Sequence, residues 1–354
     1  MLKNLIRMIP AVVIIAATIN TMSCNNNNGL LPQEGGGAGG SATSSLTPTS
    51  SSLTPTPSST PTAGAAAALA FVTNFNDSMV SSFTRNTSTG MLTHTGQVTA
   101  GAKAGPRGVV ASPNGSFLYV ANINDDNIYE FSINQTDGTL TPLATPSVSN
   151  GNATEPDEMA MNGAGTLLWV TGRAGTVTAY TLDTSTGKLT KKSSIDGFNT
   201  PFGIAVHPTL PVLYVSDLKT GLIQPMSYNT KDGLLSKNFP AVASSDPNAK
   251  IPAALTIDPA GATLFAPAEG NGKVLSFAID GSGALTPIQA ATNGKVGVVD
   301  PRGAFVYTAN SADGTVAVSK IKGACLSQKC AATTISAESP HNANSGPFGI
   351  TLLH

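Results

Sequence analysis

The chain has 354 residues (35.7 kDa), and 40% of them are apolar, enough for one large core or two ordinary ones. Charged residues supply only 11%, against roughly 25% in an average soluble domain, and the 36 Gly and 24 Pro favour turns and strands over helices. With 19 Lys+Arg against 20 Asp+Glu the net charge is −1, so there is no basic field for a phosphate backbone and no nucleic-acid partner is expected.

Lys3 and Arg7 precede an apolar run from Met8 to Ile19, the layout of a secretory signal peptide. The run is shorter than the ~20 apolar residues that a spanning helix needs. It closes on Thr21-Met22-Ser23-Cys24, which resembles a bacterial lipobox. That resemblance implies that residues 1–23 are removed, that Cys24 is lipidated, and that the membrane is a partner through this lipid. By the same resemblance Asn25, in place of Asp, implies an outer-membrane or cell-surface destination, with a periplasm-facing anchor as the variant. Residues 24–66 are Asn, Gly, Ser, Thr and Pro with almost no large apolar side chain, so they are expected to be a disordered tether. As a flexible coil of about 40 residues it would span roughly 35 Å.

From 67 to 354 one unit recurs. The strands Phe71-Val72-Thr73-Asn74, Tyr119-Val120-Ala121-Asn122, Trp169-Val170-Thr171-Gly172, Tyr214-Val215-Ser216-Asp217, Phe265-Ala266-Pro267-Ala268 and Tyr307-Thr308-Ala309-Asn310 stand about 47 residues apart. Before each comes a turn and an apolar start, as in Pro113-Asn114-Gly115-Ser116-Phe117-Leu118. After each comes an alternating strand, such as Ile128-Tyr129-Glu130-Phe131-Ser132-Ile133, whose period of two marks a half-buried β-strand. Thr89-Gly90, Asp137-Gly138, Thr186-Gly187, Asp232-Gly233 and Ser282-Gly283 then signal hairpins. Four strands per copy and six copies predict an all-β chain, a six-bladed β-propeller. Gly346-Pro347-Phe348-Gly349-Ile350 repeats Thr200-Pro201-Phe202-Gly203-Ile204, the start of an inner strand, but stands close to the C-terminus. The N-terminal copy lacks such a strand, so the two ends are expected to complete one blade by Velcro pairing.

These strands resemble the YVTN repeats of the lactonase superfamily of β-propellers, in which 6-phosphogluconolactonase-like proteins sit, over essentially all of 68–354. The resemblance implies hydrolysis of a sugar lactone, although relatives typically have seven blades. It also implies that Arg107 of Gly105-Pro106-Arg107 matches a family position. The family's next residue is His and its next second strand ends Asn-Glu, whereas this chain has Gly108 and Asn122-Ile123. Glu158, one blade on, or His341, just before the last entry, is expected to substitute, and neither matches a family position.

In a propeller, the loops leading into the inner strands and the loops between second and third strands share one face. The former bring Arg107, Glu155, Asp157, Glu158, Lys250, Lys295 and His341, the latter Asn74, Asn122, Arg173, Asp217, Glu269 and Asn310. Lactone hydrolysis needs a base to activate water and a cation for the oxyanion. The catalytic candidates are therefore Arg107, Glu158 and His341, and the ligand-binding candidates are Asp157, Arg173, Asp217, Glu269 and Lys295. His94, His207, His341 and His354 lie in different repeats, and Asn124-Asp125-Asp126-Asn127 reads as a turn, so no metal and no cofactor is expected. Cys325 and Cys330 replace the hairpin signal of the sixth copy and, in an exported chain, are expected to form a disulfide.

The missing His and Glu favour a lipid-anchored binding or interaction module at the bacterial envelope, a monomer that takes a protein or glycan on this face. A lactone hydrolase using the same face is the alternative, and an envelope assembly factor is a third reading.

Overall fold

Alternating apolar residues broken by Gly, Asn and Asp turns fold here into short antiparallel strands. The computed structural model describes residues 68–103, 105–243, 254–268, 273–291, 298–299, 305–310, 315–320, 341–342 and 347–353. All of them lie in the unit that runs from Ala66 to His354. No helix among them is long and apolar enough to cross a membrane.

The strands of the first sheet are β1 (Leu69–Asn74), β2 (Met79–Arg85) and β3 (Leu92–Thr99). The second sheet holds β4 (Pro106–Ala111), β5 (Phe117–Asn122), β6 (Asn127–Ile133) and β7 (Leu140–Ser149). The third holds β8 (Pro156–Met161), β9 (Leu167–Gly172), β10 (Thr176–Leu182) and β11 (Leu189–Ile195). The fourth holds β12 (Pro201–Val206), β13 (Val212–Asp217), β14 (Leu222–Tyr228) and β15 (Leu235–Ser236), with β16 (Val242–Ala243) also on β14. The fifth holds β17 (Thr256–Ile257), β18 (Thr263–Ala268), β19 (Lys273–Ile279) and β20 (Leu285–Ala291). The sixth holds β21 (Val298–Val299), β22 (Phe305–Asn310), β23 (Thr315–Lys320) and β24 (His341–Asn342). The last strand, β25 (Pro347–Leu353), pairs with β1, so the first sheet reads β25-β1-β2-β3.

Each sheet is a propeller blade, because it cannot bury both faces alone and the core lies between neighbours. Phe71 and Phe83 pack with Val120 and Phe131 between the first two blades. Tyr119 and Val170 do so between the second and third, Trp169 and Val215 between the third and fourth, and Tyr214 and Leu264 between the fourth and fifth. Strands β5, β9 and β13 are buried throughout, whereas β3, β7 and β11 are largely exposed.

The aromatics that open three of the repeat strands have a second task. Tyr119 Oη donates to the Gly187 carbonyl at 2.7 Å, Trp169 Nε1 to that of Gly233 at 2.9 Å, and Tyr214 Oη to that of Gly283 at 3.0 Å. Each bond joins one blade to the outer hairpin of the next. Gly187 has φ 76° and a Cβ there would stand 2.3 Å from the Phe117 ring, so conformation and space both require glycine. His207, directly after β12, is a structural residue. Its Nδ1 accepts the N–H groups of Thr209 and Leu210, and its Nε2 bonds the Gly261 carbonyl in the fifth blade at 2.9 Å.

Candidate functional site

Four of the described inner strands, β4, β8, β12 and β25, begin alike, with Pro and then a register shift. Pro106 pairs with Asn122 and Val109 with Val120, so β4 carries one extra residue at Arg107-Gly108. The same bulge falls at Asp157-Glu158 in β8 and at Phe202-Gly203 in β12. Such bulges re-aim side chains, and here they bring Arg107, Asp157 and Phe202 from three adjacent blades together. Hydroxyls of the repeat strands fix these starts: Thr73 Oγ1 donates to the Arg107 carbonyl at 2.6 Å and Thr171 Oγ1 to the Phe202 carbonyl at 2.7 Å.

Asp157, fully buried, bridges two guanidiniums. Arg107 Nε lies 2.7 Å from its Oδ1, and Arg173 Nε bonds its Oδ2. Arg173 belongs to the turn after β9 and its backbone N–H donates to the Glu155 carbonyl. Its guanidinium packs over the Phe202 ring at 5.1 Å, and that of Arg107 lies 5.7 Å from Phe202 and 5.6 Å from Phe75. The cations are thus oriented by one carboxylate and two aromatic faces.

Glu158 stands beside this pair. It is 3% exposed, and its Oε1 has no hydrogen-bond partner among the described residues. Burial, followed by the Asp157 charge, pushes its carboxyl up to about 8 against the pull of Arg107 and Arg173. Gly108 faces it across the blade boundary. A Cβ on Gly108 would lie 2.3 Å from the Asp157 carbonyl oxygen, so the space for a side chain at 108 is taken by the chain of β8.

Of the residues expected at the site, Arg107, Asp157, Glu158 and Arg173 are brought together. Asp217 holds backbone instead: its carboxylate accepts the N–H groups of Asn199, Thr200, Lys219 and Thr220. Asn122 likewise donates to the carbonyls of Ala100 and Lys103. Asp126 accepts from the N–H groups of Ala153, Thr154 and Glu155, and Asp125 from Tyr129 Oη, so both carboxylates of that turn serve local structure. Among the described residues no three His, Cys, Asp or Glu side chains are grouped to hold a metal ion. Cys24, Lys250, Glu269, Lys295, Cys325 and Cys330 lie outside the described residues. The same is true of the His341 side chain, although its backbone forms part of β24.

Sequence reasoning did not single out Phe75 or Phe202. Alignment of the repeats would have flagged Phe202, since it follows the same Pro as Arg107 and Asp157. It also missed Glu130, which accepts the Leu189 N–H between the second and third blades and is pushed up to about 7 by burial. Its signal was a lone acid on an alternating strand.

Solved structures with the same fold include the 6-phosphogluconolactonase-like proteins of Bacteroides fragilis and Bacteroides uniformis. They are 16% and 17% identical with TM-scores of 0.60 and 0.65, and the alignments cover 83% and 82% of this chain and 100% of each of those. The periplasmic gluconolactonase of Pseudomonas aeruginosa is 15% identical with a TM-score of 0.56, over 65% of this chain and 68% of that one. No curated protein matches the chain. The described residues form six sheets, whereas the family that the sequence matches is described as having seven blades. That match spans residues 65–155 and 220–347, more than half of the chain, and includes Arg107, so the chain belongs to the lactonase family of seven-bladed β-propellers.

Proposed function

We propose that the protein hydrolyses small sugar lactones on the face formed by the starts of β4, β8 and β12. The observation that carries this reading is Glu158, a buried carboxyl with a free oxygen beside two fixed guanidiniums. The absent family His and Glu argued for a module that only binds, but Glu158 supplies the ionisable group that they would have supplied. In its ionised form it takes a proton from water as the water oxygen bonds to the lactone carbonyl carbon. The electron pair displaced onto the carbonyl oxygen is stabilised by Arg107. Collapse of the tetrahedral intermediate breaks the ring C–O bond, and the protonated Glu158 returns its proton to the departing alkoxide. The product is the open-chain hydroxy acid.

Purified full-length protein should open glucono-δ-lactone above the uncatalysed rate, with kcat/KM rising with pH until about 8, as the base form of Glu158 accumulates. Glu158→Gln should lower kcat by about a hundredfold or more. A folded wild type without turnover, or a Glu158→Gln variant at wild-type rate, would refute hydrolysis and return the face to the binding reading.

The proposed setting is the bacterial envelope, with the blades joined into a six-membered ring and tethered through a lipid on Cys24. The pairing of β25 with β1 supports the ring, and the Cys24 context supports the anchor. Radiolabelled palmitate should enter the wild type and not Cys24→Ala, and equal labelling of the two would rule out this anchor.

A further inference from the structure

We propose that the outer edge of Arg173 is a carboxylate clamp, so that the ligand taken on this face is a monoanionic sugar acid or the lactone of a sugar diacid. Arg173 is held on its other sides: Nε on Asp157, the guanidinium plane on Phe202, and the backbone on the Glu155 carbonyl. Its two terminal Nη groups have no acceptor among the described residues, while its side chain remains 15% exposed. What is left open is the two-pronged edge whose geometry matches a carboxylate, already fixed in place before a ligand arrives.

The charge balance selects a single negative charge. Among the described residues of the cluster, Arg107 and Arg173 face one carboxylate, Asp157, and Glu158 is a neutral acid at neutral pH, which leaves one positive charge over. The neighbouring inner strands β12 and β25 contain no ionisable residue. A ligand carboxylate neutralises the site, whereas a phosphate dianion leaves it negative beside the buried Asp157. The unpartnered Oε1 of Glu158 adds a second requirement, because a buried polar atom without a partner is costly and a sugar hydroxyl relieves it.

This inference rests on the same face as the hydrolase reading but not on turnover, so binding is measured with ligands that have no lactone ring. Methyl β-D-glucuronide and methyl β-D-glucoside differ only in a carboxylate against a hydroxymethyl group. Titrated calorimetrically into the full-length protein at neutral pH, the glucuronide should bind at least about tenfold more tightly than the glucoside. Inorganic phosphate should compete weakly. Arg173→Gln should abolish the preference, and Arg173→Lys, which keeps the charge without the fork, should reduce it to about threefold. Equal affinities, no binding of the glucuronide, stronger binding of phosphate, or a preference intact in Arg173→Gln would overturn the clamp. Should Arg173→Gln fail to fold, an undiminished preference in Arg173→Lys overturns it alone. Glucuronide binding without lactone turnover would overturn the hydrolase reading and leave the clamp standing.

Discussion

Glu158 couples the site to the stability of the blade that carries it. Its folded pKa of about 8 stands above the ordinary value of 4.5, so between those limits the native state holds a proton that the unfolded chain has released. Stability therefore falls as pH rises through this window: the contribution is fully present below about 4.5 and lost on passing about 8. The size is on the order of a few kcal/mol. Glu130, raised to about 7 by burial, works in the same direction, so the diagnostic quantity is the difference between two proteins. The urea midpoint of the wild type should drop from pH 5 to pH 8.5 by more than that of Glu158→Gln, whose amide does not ionise. Parallel pH profiles would mean that the carboxyl titrates normally. Position 108, where the family resemblance implies a His, has no room for a side chain here, since β8 passes so close to Gly108 that no Cβ fits.

At the scale of elements, the strands were legible and their bulges were not. Alternation and hairpin glycines give β6, β10 and β19 directly, because a half-buried strand must alternate. The extra residue at Arg107-Gly108, Asp157-Glu158 and Phe202-Gly203 leaves no mark on that alternation, yet it sets which side chains meet. Position in the repeat was enough to collect Arg107, Asp157, Glu158 and Arg173. It also collected Asp217, whose carboxylate instead orders the loop into β12 and the turn after β13. Short acids at strand ends accept nearby backbone N–H groups by preference, and nothing in the sequence separates that use from ligand binding. Phe202 was hidden for the opposite reason, since an aromatic next to Pro reads as packing until the guanidiniums above it are known.

For the whole molecule, the question is whether the blades unfold together. In an open stack, each unit meets only its neighbours, and loss of a terminal strand weakens the terminal unit alone. A closed ring has no terminal unit. The pairing of β25 with β1 runs from Leu69↔Leu353 to Asn74↔Pro347, and β25 also packs against β4 in the second blade. Removing residues 347–354 strips the hydrogen-bonded edge from β1, whose residues Leu69 to Val72 are wholly buried. The single tryptophan reports on a distant blade: Trp169 is fully buried in the third sheet and bonded to Gly233 in the fourth. In a closed ring the truncation should lower the urea midpoint of Trp169 fluorescence together with that of the far-ultraviolet circular dichroism. A synthetic peptide of residues 347–353 should restore part of both. A Trp169 midpoint that stays at the wild-type value while the dichroism loses amplitude would mean that the third and fourth blades hold without the closure. The six sheets would then behave as an open array rather than a ring.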